Sequence, residues 1–221
     1  MSLGADTVYA LAAVAIFLVV GFPVHEFAHA YAAYRLGDGT AKMFGRLTLN
    51  PLVHLDPLGA GVLAISALFG GFFIGWAKPT PVNPQMLRGR HGDSIVAAAG
   101  PVSNIVMAAA AAVVIRIMVA AVGSDVPADP VLFAFNVLMY FVYINIALFI
   151  FNLLPVPPLD GSHVLFDFMS PRMAWKTRPF LTRWGLMILL VVMILPIGGQ
   201  SLGARVMVPL MDGIASVLVG F

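Results

Sequence analysis

The sequence predicts an all-α polytopic membrane protein with about five to six membrane segments. Its 221 residues are 61% hydrophobic and 10% charged, and their mean hydropathy is +0.97. Soluble chains are about 45–50% apolar and about 25% charged. So little polar surface cannot cover the chain in water, and lipid must therefore cover much of it. Because a spanning helix needs about 20 apolar residues, we expect residues 1–221 to form a single membrane-embedded domain.

The apolar runs give the order of the elements. Core spans are expected at about 8–34, 94–122 and 131–154, and C-terminal spans at about 184–197 and 205–221. Residues 36–84 should form a small β-like and re-entrant region after the first span. Within it, residues 46–50 alternate in polarity as a short strand does. Five glycines interrupt the apolar run 58–76, which favours re-entry over a complete crossing.

Basic residues set the expected orientation. Lys and Arg concentrate in three short segments, 35–46, 78–90 and 172–183. Cytoplasmic loops are enriched in these residues, so all three segments should face the cytoplasm. The net charge of +2 is explained by the same loops and gives no sign of nucleic-acid binding. The chain also has no cysteine, so any metal must be bound by histidine and carboxylate.

The strongest chemical signal is the only glutamate of the chain, which lies inside the first apolar run in the sequence His25-Glu26-Phe27-Ala28-His29. On a helix, His25 and His29 share one face, so both imidazoles can bind one zinc ion. Glu26 can then act as general base on a water. The alternatives are a chance match and polar core residues satisfied by one another. The second alternative is weak, because ionisable groups at membrane depth are costly.

A hydrolytic zinc site needs a third protein ligand, and Asp160 is the best candidate. It follows the core span and a proline-rich break at 155–158, and broken helices at this depth occur around cavities. The expected orientation delivers His25, His29 and Asp160 to the same side of the membrane. The alternative for Asp160 is a turn residue at the end of a helix.

Three motifs stand out together: His25-Glu26-x-x-His29, Gly100-Pro101-Val102-Ser103-Asn104, and Asn152-x-x-Pro155-x-x-x-x-Asp160-Gly161. They resemble the site-2 protease family of intramembrane zinc metalloproteases. The segments 45–57 and 75–79 look like its compact branch, which has no PDZ or CBS domain.

The resemblance implies one zinc ion per chain, bound by His25, His29 and Asp160. It also implies that Glu26 activates water and that Asn152 helps to orient the substrate or the metal-bound oxygen. The implied substrates are membrane-spanning segments of other proteins in the bilayer, cut to release a regulator or to clear a remnant. The implied location is a prokaryotic plasma (inner) membrane, with the active site toward the cytoplasm.

Several residues keep more than one interpretation. His54 is an extra zinc ligand, a proton shuttle, or a loop histidine with a local hydrogen bond. Asn104 either bonds across helices or supports the site. Residues 48–50 or 80–82 offer a strand edge that holds an extended substrate, or are turn-rich connectors.

Two other functions compete with proteolysis. In a metal-ion transporter, His25, His29 and Asp160 would form a midplane site, although the sequence shows no internal repeat of the kind transporters have. A catalytically silent scaffold would bind membrane segments without cutting them. The retained Glu26 argues against the scaffold, because binding alone does not need that carboxylate.

Overall fold

The structure is a computed structural model that describes residues 4–59, 61–62, 65, 78–123, 129–197 and 199–220. The predicted re-entrant run 58–76 therefore lies largely outside the described residues. The described residues 57–59, 61–62 and 65 are helical. The other α-helices in the described ranges are α1 (Ala5–Ile16), α2 (Phe22–Arg35), α3 (Thr40–Met43), α4 (Pro51–His54), α5 (Gly92–Val122), α6 (Asp129–Asn152), α7 (Asp160–Phe168), α8 (Pro171–Ile194) and α9 (Leu202–Val219).

Five helical stretches in the described part of the chain are long and apolar enough to cross a membrane, which confirms the predicted all-α membrane fold. Their lengths range from 18 to 31 residues, and a span needs about 20. Their outer faces carry exposed Val, Ile, Leu and Phe side chains, as expected of surfaces that face lipid. The stretches are Ala5–Arg35, Gly92–Val122, Asp129–Asn152, Pro171–Ile194 and Leu202–Val219.

The first stretch is continuous through α1, a π-helical turn at Phe17–Gly21, and α2. Pro23 lies just after this turn. Proline has no N–H and its ring clashes with the carbonyl of the preceding turn, so it disturbs a regular α-helix. The wider π-helical turn accommodates this disturbance. The helix thus continues into the segment that carries His25 and His29.

Helices α5 and α6 form the centre of the bundle, and α1 and α9 pack on them. Small residues line the contacts of α5, where Ala108, Ala111 and Ala112 are buried. In a membrane, small side chains let helix backbones approach closely and so favour packing. The remaining members of the core cluster are Ala13, Ile115, Val137, Phe141, Val142, Ile146, Ala215 and Val219.

The last helix, α9, runs parallel to α5. Arg116, near the end of α5, donates from Nε to the Val219 carbonyl at 3.0 Å and from Nη2 to the Val217 carbonyl at 2.8 Å. About two turns before the end of α9, Asp212 accepts from the Tyr143 hydroxyl of α6 at 3.1 Å. Arg116 therefore supplies donors for the carbonyls that a helix leaves free at its C-terminus.

Strand structure is sparse in the described residues. Residues 46–50, whose alternation resembles a strand, form no strand, and residues 47–48 form a bend. Their polar groups are used locally, because Asn50 N–H donates to Thr48 Oγ1 and Asn50 Oδ1 accepts from Leu52 N–H. The strands that do form are β1 (Pro196–Ile197) and β2 (Gln200–Ser201), an antiparallel pair between α8 and α9.

The connection between α2 and α5 is fastened by Asp38, which is fully buried. Its Oδ1 accepts from the Thr40 backbone N–H at 2.9 Å and from the Thr40 hydroxyl at 2.5 Å, and its Oδ2 accepts from Asn83 N–H at 2.7 Å. Burial alone would raise the pKa of the Asp38 carboxyl, but these donors outweigh burial and lower it. Asp38 therefore anchors the segment 78–83 beside the end of α2.

Candidate metal centre

The two histidines of α2 point to one place. His25, Glu26 and His29 are each 8% exposed, and the Nε2 atoms of the histidines are 3.1 Å apart. This proximity follows from the helix, since side chains four residues apart lie one above the other on the same face.

Asp160 completes the cluster from a distant part of the chain. Its Oδ2 lies 3.6 Å from His25 Nε2 and 3.5 Å from His29 Nε2. Asp160 is the first residue of α7, where the positive end of the helix dipole favours a carboxylate. Burial would raise the pKa of Asp160, but the two imidazoles outweigh burial and bring it to about 2.

The three side chains fit a zinc ion. Zinc ligands at about 2.0–2.1 Å in tetrahedral geometry are about 3.3 Å from one another, and the three separations here are 3.1, 3.5 and 3.6 Å. His29 Nδ1 lies 2.8 Å from the Val96 carbonyl oxygen. An N–H there leaves the lone pair of Nε2 facing the other two ligand atoms, as in metal-binding histidines. This donor set, with nitrogen and oxygen and without sulfur, suits zinc.

Gly100 of α5 makes room for the imidazoles. A Cβ on residue 100 would lie 2.5 Å from His29 Cε1 and 2.7 Å from His25 Cε1. Ordinary contacts are 3.4 Å or longer, so any side chain here would displace both rings. The glycine of the Gly100-Pro101 pair thus serves close approach of α5 to the candidate ligands.

Helix α7, which carries Asp160, is fastened to the start of α5 by two histidine–aspartate pairs. His163 Nδ1 lies 2.9 Å from Asp93 Oδ2, and His91 Nδ1 lies 2.7 Å from Asp167 Oδ2. The Ser94 hydroxyl also donates to Asp167. The hydrogen bond to Asp93 raises the pKa of His163. These contacts join α7, which carries Asp160, to α5, which packs against His25 and His29.

Glu26 is held by Thr80, which lies in the connection between α2 and α5. Thr80 donates to Glu26 Oε2 from its backbone N–H at 3.1 Å and from its hydroxyl at 2.6 Å. The same hydroxyl lies 3.3 Å from the backbone carbonyl oxygen of Glu26. The carboxylate therefore has a fixed position beside the histidines between which it stands in the sequence.

Comparison with known proteins identifies the family. The sequence profile of peptidase family M50 matches residues 125–195. The chain is 40% identical to the protein named "Putative zinc metalloprotease YwhC" of Bacillus subtilis strain 168, over 84% of this chain and 81% of that protein. The chain belongs to peptidase family M50, the site-2 proteases.

Two mycobacterial relatives extend the comparison. Proteins named "Putative zinc metalloprotease Rip2" are 33% identical in Mycolicibacterium smegmatis strain mc(2)155 and 28% identical in Mycobacterium tuberculosis strain H37Rv. Each alignment covers 88% of this chain and 73% of the relative. No solved structure matches the chain significantly. Membership in the M50 family makes the chain a zinc metalloprotease, and with its spanning helices an integral membrane protein.

The other site residues expected in this site-2 protease differ in their burial and hydrogen bonds. Asn104 is fully buried one turn after Gly100, and neither atom of its amide has a hydrogen-bond partner among the described residues. Asn152 is the half-buried last residue of α6 and has no side-chain hydrogen bond to the described residues. His54 is fully buried, and its Nε2 lies 2.7 Å from the Thr48 carbonyl oxygen.

Sequence reasoning about this M50 protein missed the contacts of three residues. The contact of Thr80 with Glu26 joins residues 54 positions apart, and no local pattern announces it. Gly100 was noticed only as part of a motif, although a glycine inside a spanning helix often marks close approach. Asn145 is fully buried in α6, and its Oδ1 has no partner in the described part of the chain.

Proposed function

We propose that this protein hydrolyses peptide bonds in or near membrane-spanning segments of other membrane proteins. His25, His29 and Asp160 would bind zinc, and Glu26 would be the general base. The single observation that carries the proposal is the convergence of three ligand atoms within 3.1–3.6 Å of one another among helices long enough to span a bilayer.

The chemistry assigned to this site is that of a zinc peptidase. Zinc held by His25, His29 and Asp160 would supply a Lewis acid, which makes a water more acidic and polarises the scissile carbonyl. Glu26 takes a proton from the attacking water and delivers it to the leaving amine. Asn152 offers its amide group to the backbone of an unwound substrate, since an extended peptide exposes N–H and C=O groups that must be satisfied inside the bilayer.

The proposed orientation puts the site toward the cytoplasm of a prokaryotic plasma membrane. Arg88 N–H donates to the Leu36 carbonyl at 2.7 Å, so the basic segments 35–46 and 78–90 lie at the same end of the bundle. That end is the cytoplasmic one by the distribution of Lys and Arg. His29 lies six residues before the end of α2, about 9 Å along the helix at 1.5 Å per residue.

The test compares wild type with Glu26→Gln in lipid vesicles. The probe is a set of single-span reporter segments, and cleavage is detected by mass spectrometry. Wild type should cut at least one segment within its apolar region. Glu26→Gln should bind about one zinc ion per chain yet cut at least about 100-fold more slowly, because a general base contributes about 10²–10⁴ in rate.

The matched control is Asp6→Asn, which removes an exposed carboxylate from the first turn of α1 and should cut at the wild-type rate. Wild-type cleavage by Glu26→Gln would refute the assigned role of Glu26. A wild-type protein that moves zinc across the vesicle membrane and cuts none of the segments would refute the proposed proteolysis.

A further inference from the structure

The segment 78–83 passes beside Glu26, forms neither helix nor strand, and is fixed at both ends. Lys78 N–H donates to the His54 carbonyl at 3.2 Å, and Asn83 N–H donates to Asp38 Oδ2 at 2.7 Å. Both of these acceptor residues are fully buried. Thr80 therefore lies on a stretch of backbone that cannot easily move away from α2.

The sequence around Thr80 makes it the only backbone hydrogen-bond donor of the tripeptide 79–81. Pro79 and Pro81 flank it, and proline has a fixed φ and no N–H. Of the tripeptide 79–81, only Thr80 can donate from its backbone, and that N–H is directed at Glu26 Oε2. Its hydroxyl has one proton, and the 2.6 Å contact with Oε2 is shorter than the 3.3 Å contact with the Glu26 carbonyl.

The two oxygens of the Glu26 carboxylate are consequently different. Oε2 accepts two hydrogen bonds from Thr80, whereas Oε1 accepts none from the described residues. Hydrogen bonds to an ionised carboxylate are stronger than neutral ones and fix its rotation. A general base works only when it is held within hydrogen-bond distance of the proton that it takes, so holding one oxygen defines which oxygen takes the proton.

We propose that Thr80 is the positioning residue of Glu26: it holds Oε2 with its N–H and hydroxyl and leaves Oε1 to accept the proton of the attacking water. This inference rests on the proposed function, because it assigns Glu26 as the general base. Thr80 acts through Glu26, to which its N–H and hydroxyl donate.

The kinetic test uses Thr80→Val, which keeps the N–H and the shape of the side chain but removes the hydroxyl. With the reporter segment that wild type cuts fastest, kcat should fall about ten-fold or more, since a hydrogen bond to a charged group is worth about that factor. KM should stay within about two-fold and zinc content at about one per chain. Thr80→Ser, which restores the hydroxyl, should recover most of kcat.

Thr40→Val is the matched control, because the Thr40 hydroxyl also donates to a carboxylate, Asp38, in the same connection. It should keep kcat within about two-fold of wild type. A Thr80→Val enzyme with wild-type kcat, a Thr80→Ser enzyme as slow as Thr80→Val, or equal losses in Thr80→Val and Thr40→Val would each overturn the proposal.

A second test needs no catalysis. Amide hydrogen exchange is measured on the zinc-free full chain in micelles, as wild type and as Glu26→Ala. The Thr80 N–H should exchange about ten-fold or more faster in Glu26→Ala, because its acceptor is gone. The Asn83 N–H, which donates to Asp38, should keep its wild-type rate.

The two tests separate the inference from the proposed function. The contact between Thr80 N–H and Glu26 would be refuted if Thr80 exchanged at the same rate in wild type and in Glu26→Ala. It would also be refuted if exchange at Asn83 increased as much as exchange at Thr80. Neither result depends on catalytic activity. If the exchange result is as expected but wild type cuts no reporter segment, Thr80 still fixes Glu26, while the proposed proteolysis and the catalytic purpose of that contact both fail.

Discussion

Replacing Gly100 with alanine should remove zinc from the protein without unfolding it. The added Cβ would lie 2.5 Å from His29 Cε1, about 0.9 Å short of the 3.4 Å at which ordinary contacts begin. It would also lie 2.7 Å from His25 Cε1. Zinc ligands tolerate displacements of only about 0.2 Å, so a shift of this size should cost both histidines as ligands.

The magnitude of the change follows from the ligand count. A site that loses two of its three protein ligands should fall below about 0.1 zinc per chain after gel filtration, against about one in wild type. Proteolysis should fall with zinc content. Zinc is measured by mass spectrometry on protein in micelles, and helix content by circular dichroism.

Gly213→Ala in α9 is the control, because it also replaces a helical glycine with alanine. Its Cβ would meet nothing within 4 Å, so it should keep zinc and gain a little stability, because alanine exceeds glycine in helix propensity by about 1 kcal/mol. A folded Gly100→Ala protein with one zinc ion bound at wild-type affinity would refute the geometry of the site.

Two further predictions concern stability. Arg116→Met should lower the free energy of unfolding by about 1.5–3 kcal/mol, because two charge-assisted hydrogen bonds to the end of α9 are lost, while zinc content stays at the wild-type level; an unchanged denaturant midpoint would contradict this. Asp38→Asn should destabilise the zinc-free protein at pH 7, and the difference from wild type should shrink as pH falls. The pKa of Asp38 in the folded protein lies below 3.8, so its contribution is present above pH 3.8 and is lost as pH falls through the folded value. Denaturant titrations between pH 7 and pH 3 check this, and a difference that widens on acidification would contradict the sign.

The all-α membrane fold could be read from composition, and the histidine pair from helical spacing. Both depend on properties that are local in the sequence, namely apolar run length and the four-residue repeat of the helix face. The nearness of Asp160 to His25 also agrees with the orientation argument, because two segments that run in the same direction deliver their ends to one side.

The contacts of Thr80 and Asp38 could not be predicted in this way. Each depends on how the segment 78–83 docks against α2, and docking is decided by tertiary contacts between residues 45 and 54 positions apart. The absence of a strand at residues 46–50 shows the same limit, since the alternation was outweighed by the side-chain hydrogen bonds of Thr48 and Asn50.

The direction of α9 has a practical consequence for handling the protein. Because α9 runs alongside α5 in the same sense, any polypeptide that follows it, including an affinity tag, emerges where α5 ends. Gly100 lies 22 residues before that end, which is about 33 Å along the helix. A protein attached to a solid support through such a tag would therefore leave the opposite end, with Glu26 and its histidines, free to receive a substrate.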